Sequence, residues 1–296
     1  MGGSSVEVTH PDRVLFPADG ITKRDLVDYY AAVAGAMLPH LKGRPLNAQR
    51  FPRGIGDPGF VQQDFADSLP EWMGRVEVAK EDGTVVHPVA ESPDALRWLA
   101  NQNCVTLHAW QSRLSRLNEP DRLVFDLDPS EGDFAVVRAT ARAVAGLLRD
   151  LGLVTYVQVT GSRGLHVVAP VRPETDFDTA RQFARDVAEL VAADDPAHRT
   201  VEARKQKRGG RVYLDVMRNA YAQTAVAPYS VRPRAGAPVA TPVEWEELDA
   251  AGLRADCFTI RDVPKRLTRQ PDPWAGMPRH ARSLAGPMRR LAKLRA

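Results

Sequence analysis

Residues 123–129 read Leu-Val-Phe-Asp-Leu-Asp-Pro, and no other stretch restricts the fold of this chain as strongly. An apolar run of this length, closed by a proline, is the signature of a β-strand. Successive side chains of a strand alternate faces, so Asp126 and Asp128 point the same way, about 6–7 Å apart. Two carboxylates sharing a face repel unless a cation stands between them. The pair therefore reads either as half of a divalent-metal site or as a strand running out into a polar turn, since Asp and Pro are ordinary turn residues.

The chain has 296 residues, 44% of them apolar, enough for one large domain or two small ones. Its formal charge is only +3, from 40 Lys+Arg against 37 Asp+Glu. The basic residues are clustered nonetheless, ten against two acids from Arg261 onward and seven against two across 199–218. Such stretches on a balanced chain fit a polyanion footprint, although either one alone also describes a solvated charged face. Cys104 and Cys257 lack metal-ligand spacing and read as reduced thiols. No apolar run approaches the roughly 18 residues needed to cross a bilayer. No secretory signal is visible, and Val6 stands where a myristoylation signal needs Ser or Thr. A soluble, cytoplasmic protein is expected, with residues 1–5 as a flexible start.

Along the chain, Thr22 caps a helix whose apolar positions Leu26, Tyr29, Tyr30, Val33 and Met37 recur at helical spacing. Arg13, in the loop before it, and Lys23, in its first turn, read as a phosphate site at a helix start or as two surface cations. Residues 43–60 mix Gly, Pro and Arg with Phe51 and Phe60, a composition that suits base stacking or an ordinary loop with tucked aromatics. Residues 76–89 alternate around Asp82-Gly83, which predicts a hairpin. Lys80-Glu81-Asp82-Gly83 matches the nucleophile motif of nucleotidyl-transferring ligases, but the turn explains it and no further ligase motif follows. Ser92 caps a helix to about residue 102. A strand at 105–110 carries His108.

A helix over 134–151 and a strand over 153–159 follow. The next turn, Thr160-Gly161-Ser162-Arg163-Gly164, offers backbone N–H groups and a cation to phosphates before a strand at 165–169 bearing His166. Another amphipathic helix ends near Pro196. Residues 205–211 read as a mobile basic turn. It opens into the strand 212–216, where Asp215 is costly to bury without a partner or metal and is the natural third ligand for the Asp126/Asp128 pair. Residues 241–296 are Pro-rich with short helical stretches, and from Pro278 the tail is basic and poorly patterned. No repeat or linker is evident, so 6–296 reads as one domain.

Taken in order, these motifs resemble the archaeo-eukaryotic primase superfamily, and more closely the polymerase domain of bacterial ligase D and its stand-alone primase-polymerase relatives. The resemblance is carried by Arg13-Val14-Leu15-Phe16-Pro17, Thr22-Lys23, Asp28-Tyr29-Tyr30, Gly43-Arg44-Pro45, residues 123–129, Gly161 to His166 and Ala227-Pro228-Tyr229-Ser230-Val231-Arg232. It implies an α/β (α+β) fold with mixed and antiparallel central sheets flanked by helices. It implies that Asp126, Asp128 and Asp215 hold two divalent ions, Mn²⁺ or Mg²⁺. Ser162, Arg163, Gly164, His166 and Arg232 would grip a nucleoside triphosphate, with His108 and Lys205 beside it. Arg13 and Lys23 would take a DNA 5′-phosphate, and Phe60 and Arg208 would contact template or primer.

The implied activity is addition of nucleotides to a primer 3′-hydroxyl at gaps or broken ends, in bacterial repair near the nucleoid. Ku and a separate DNA ligase are the implied protein partners of a monomer. The chain departs from the family where Arg13 and Arg163 replace lysines, where Phe60-Val61 replaces an aromatic pair, and where Arg218 replaces a ribose-contacting polar residue. A non-catalytic DNA end- or gap-binding module and a two-metal nuclease are the competing readings.

Overall fold

The computed structural model describes residues 6–81, 83–130 and 134–295. The expected flexible start at 1–5 and the Asp82 position of the hairpin turn lie outside the described residues. Packing divides the chain into two compact units, each assembled from discontinuous segments.

The first unit comprises residues up to Trp110, Val226–Thr241 and Phe258–Asp272. It opens with two short paired strands, β1 (Val14–Phe16) and β2 (Ile21–Thr22), where the sequence predicts only a loop. Helix α1 (Lys23–Leu41) starts where expected: the Thr22 hydroxyl accepts from Asp25 N at 3.3 Å and the Asp25 carboxylate accepts from Thr22 N at 2.7 Å. This reciprocal pair satisfies two amides that a helix start leaves open. Leu26, Tyr29, Tyr30, Val33 and Met37 form the buried stripe of α1.

Strand β3 (Leu46–Arg50) lies inside the Gly/Pro/Arg-rich stretch read as a loop, and β4 (Phe60–Gln62) pairs with it. Five residues are too few to show a strand period against flanking turn residues. The predicted hairpin is β5 (Gly74–Lys80) with β6 (Gly83–Val89). Helix α2 (Pro93–Asn101), capped by Ser92, packs on α1 and leads into β7 (Cys104–Trp110).

The second unit comprises Gln111–Ala225, Pro242–Cys257 and the chain from Pro273. Its centre is β8 (Arg122–Pro129), followed by α3 (Phe134–Asp150), β9 (Tyr156–Val159), β10 (Leu165–Pro170), α4 (Phe177–Asp194), β11 (Arg199–Thr200) and β12 (Val212–Asp215). Helices α3 and α4 pack on each other and on β8. Two short strands remain: β13 (Thr224–Val226), which joins a sheet in the order β13-β7-β3-β4, and β14 (Thr241–Val243). The main sheet runs β11-β12-β8-β10-β9-β14, antiparallel from β12 to β9, with β11 parallel to β12.

On β8 the faces alternate as the sequence requires. Leu123, Phe125 and Leu127 are fully buried on one face, while Val124 on the other packs with Val168 and Trp274 and is followed by the two acids. Helix α5 (Val263–Arg269) belongs to the first unit. The tail read as unpatterned contains α6 (Ala285–Arg295). Four of its eleven residues are Lys or Arg, and two of these tie it to its neighbours: Arg290 donates to Leu151 O, and Arg295 pairs with Asp186 and Glu189. No described helix is long and apolar enough to cross a membrane. The sheets and flanking helices match the expected mixed α/β class.

Candidate active site

The acids are gathered by strand register. β8 pairs with β12 on one side and β10 on the other, which sets Asp215 and His166 across from Asp126 and Tyr213 across from Asp128. Residues directly opposed in a sheet share a face. Asp126, Asp128, Asp215, His166 and Tyr213 therefore stand together on one face of the second unit.

The turn between β9 and β10 lies against the same strand. The Thr160 hydroxyl donates to Gly164 O at 3.0 Å, Gly164 N donates back to the Thr160 oxygen at 3.2 Å, and Gly161 takes φ +65°. A Cβ on Gly164 would fall 2.0 Å from Leu127 O, so only glycine lets the turn approach β8 this closely. Ser162 is half-buried and Arg163 exposed in that turn. His166, immediately beyond it, is buried; its Nδ1 faces the Gln158 amide at 3.1 Å and its Nε2 faces Asp126 Oδ1 at 3.4 Å. Its two ring nitrogens thus link the Gln158 amide to the Asp126 carboxylate.

Charge is unevenly distributed over the three acids. Burial opposes ionisation of Asp126, but His166 and Arg218 outweigh it and bring the carboxyl down to about 2. Asp128 moves the other way: burial and the negative charge of Asp126 raise it, against a smaller pull from Arg163 and Arg208. The Arg218 Nε stands 3.4 Å from Asp126 Oδ2 and its Nη2 3.9 Å from Asp215 Oδ2. No three His, Cys, Asp or Glu side chains among the described residues form a ready-made metal-ligand group. A guanidinium lies against two of the three acids instead.

The basic turn expected to be mobile is pinned. It holds a short 3₁₀ helix over Lys205–Lys207. Arg208 donates to Ala203 O at 2.9 Å and Glu202 O at 3.2 Å and stacks over the Tyr213 ring at 4.0 Å, while Arg211 donates to Arg208 O at 2.7 Å. The arginines close the turn on its own carbonyls, an arrangement that composition does not reveal. Lys205 remains exposed.

The other expected residues belong to the first unit. Lys23 N donates to Arg13 O at 2.8 Å, so the two cations are neighbours. Lys23 is nevertheless buried, with Nζ donating to Asn101 O at 3.0 Å; burial, then Arg13 and Arg50, lower its pKa. Arg13 donates to Pro52 O at 2.8 Å. Phe60 is 49% exposed beneath Arg50, whose guanidinium sits 5.7 Å from the ring, whereas Phe51 is in the core. His108 is half-buried on β7, and Arg232 N donates to Pro238 O at 2.7 Å.

Three contributors escape the sequence reading: Gln158, Tyr213 and Asn219. Gln158 is a lone amide inside an apolar strand, which was a usable signal. Asn219 is fully buried; its side chain accepts from Val124 N at 2.8 Å and donates to Val124 O at 2.7 Å and Val216 O at 3.0 Å. It continues the β8 pairing beyond the end of β12 in place of backbone.

Known proteins share this fold. The family model of the LigD primase-polymerase domain matches residues 22–274, a span that includes segments of both units. The multifunctional non-homologous end joining DNA repair protein LigD of Mycobacterium tuberculosis is 39% identical over 284 residues, covering 92% of this chain and 37% of that protein. The Pseudomonas aeruginosa multifunctional non-homologous end joining protein LigD is 30% identical over 291 residues, covering 97% and 34%. The Bacillus subtilis bifunctional non-homologous end joining protein LigD is 31% identical over 272 residues, covering 91% and 43%. The chain thus spans well under half the length of these relatives. The solved polymerase domain of Mycobacterium tuberculosis ligase D in complex with DNA superposes with a TM-score of 0.89 at 37% identity, covering 94% of this chain and 100% of that one. The chain belongs to the LigD primase-polymerase domain family.

Proposed function

We propose that the chain is a DNA-dependent nucleotidyltransferase that adds nucleotides to a primer 3′-hydroxyl at gaps or broken ends during end-joining repair. The observation that carries this reading is the register that sets Asp126, Asp128 and Asp215 on one sheet face beside the Gly164 turn. Family membership and the DNA named with the solved relative support it.

Asp126, Asp128 and Asp215 would hold two divalent cations, Mn²⁺ or Mg²⁺. The donors are all hard carboxylate oxygens, and burial, then the negative charge of Asp126, disfavours ionisation of Asp128, a cost that a bound cation would offset. Bound ions would lower the pKa of the primer hydroxyl and neutralise charge on the triphosphate. Ser162, Arg163, His166 and the backbone at Gly164 would orient that triphosphate, with Arg232, His108 and Lys205 completing nucleotide binding. Arg13 and Lys23 would take the DNA 5′-phosphate, and Phe60 and Arg208 the template and primer. Little covalent work falls to the side chains, so positioning and charge supply the rate. We take 6–296 as one catalytic domain, monomeric, working in the bacterial cytoplasm at the nucleoid with Ku and a separate ligase.

The test is incubation with labelled primer-template, nucleotides and Mn²⁺. Stepwise lengthening of the primer is expected, and Arg163→Ala or Arg232→Ala should raise the KM for nucleotide about tenfold or more. Shortened primer would make the chain a nuclease, and unchanged primer a DNA end-binding module.

A further inference from the structure

We infer that Arg218 competes with divalent cations for Asp126 and Asp215, acting as an internal counter-cation whose side chain must leave the acids for an ion to enter. This rests on the reading of those acids as metal ligands. Three observations carry it. The guanidinium reaches both carboxylates of one register pair at once, at 3.4 and 3.9 Å. These contacts are too long for strong charge-assisted hydrogen bonds, so they are readily exchanged. The backbone that carries Arg218 is tied down while its side chain reaches solvent. Asn219 ties the turn to Val124, and Met217 N donates to Asp215 Oδ1 at 2.8 Å, yet the Arg218 side chain is 39% exposed.

Motion of this one side chain therefore suffices, with solvent open to receive it. Arginine cannot shed its charge, so it cannot remain on oxygens that take up a divalent ion. The consequence is a site in which Asp126 and Asp215 already face a cation before metal arrives, and metal affinity is set by exchange of one cation for another.

The test is Mn²⁺ binding to the protein alone, without nucleotide or DNA, read from the electron paramagnetic resonance of free Mn²⁺. Arg218→Gln should tighten binding about tenfold, as expected for release of two partly exposed ion contacts. It should also lower the melting temperature without metal, and saturating Mn²⁺ should restore the parent value. Arg208→Gln removes a cation whose field reaches Asp128 and is the control. Equal tightening in both variants would mean a general field effect and overturn the inference. Unchanged or weaker Mn²⁺ binding by Arg218→Gln would overturn it too. Asp126→Asn separates the two levels: it should weaken Mn²⁺ binding at least tenfold, and if it does not, the ligand assignment itself fails.

Discussion

Gly164 shows how much of the site depends on single atoms. Its missing Cβ is what allows the glycine-rich turn to lie on Leu127 O. Gly164→Ala should displace the turn, cost about 1–3 kcal/mol from overpacking, and weaken nucleotide binding more than DNA binding. Calorimetric nucleotide titration beside a denaturant melt checks this, and unchanged nucleotide affinity would contradict it. Asn219 acts on the other flank. Asn219→Ala would leave Val124 N–H and C=O and Val216 C=O without their side-chain partner, which should cost about 1–3 kcal/mol, measurable as a lower denaturation midpoint. The acids and the glycine turn are legible in the sequence because both are local: a two-residue period puts Asp126 and Asp128 on one face, and the glycines announce the turn. The reach of Arg218 to two acids is not legible, because it depends on a turn geometry that Asn219 sets by bonding a residue 95 positions away. The pinning of Arg208 is not legible for the same kind of reason, since its stacking partner and carbonyl acceptors follow from how the turn closes.

Among the elements, those with their own start signals are readable and those held by neighbours are not. Helix α1 announces itself through Thr22 and Asp25, and Thr22→Ala should lower stability by about 1 kcal/mol in a denaturant melt. Strands β1 and β3 carry no such signals, and the basic composition of α6 hides a helix that Arg290 and Arg295 hold in place. The β6 strand carries a pH-sensitive contact. His87 is buried against Trp110 at 5.5 Å and its Nδ1 meets Leu46 O at 3.2 Å; burial lowers its pKa below the usual 6.5, against a smaller opposing effect of that carbonyl. Above about pH 6.5 the ring is neutral in folded and unfolded chain alike and adds no pH dependence. Below it the unfolded chain takes the proton first, so stability falls as pH drops from 6.5 through the lower folded value. Melting temperatures between pH 7.5 and 5 (chosen to bracket this window) should fall less steeply for His87→Gln than for the parent. Identical slopes would remove His87 from the account.

At the scale of the molecule, the order of motifs along the chain says more than any one of them. An acid pair, a glycine turn and a third acid are each common, and it is their order along one chain that narrows the reading. That order does not reveal that the chain folds as two compact units from interleaved segments, because late segments such as Val226–Thr241 and Phe258–Asp272 return to the first unit only through tertiary packing. The central claim is that the face bearing Asp126, Asp128 and Asp215 performs nucleotidyl transfer. Primer extension on 5′-phosphorylated gapped DNA with Mn²⁺, run beside a DNA-binding titration, compares the parent with Asp128→Ala. The account predicts that Asp128→Ala loses extension by at least about a hundredfold while DNA affinity stays within about threefold. Extension by Asp128→Ala at a rate near that of the parent would contradict it.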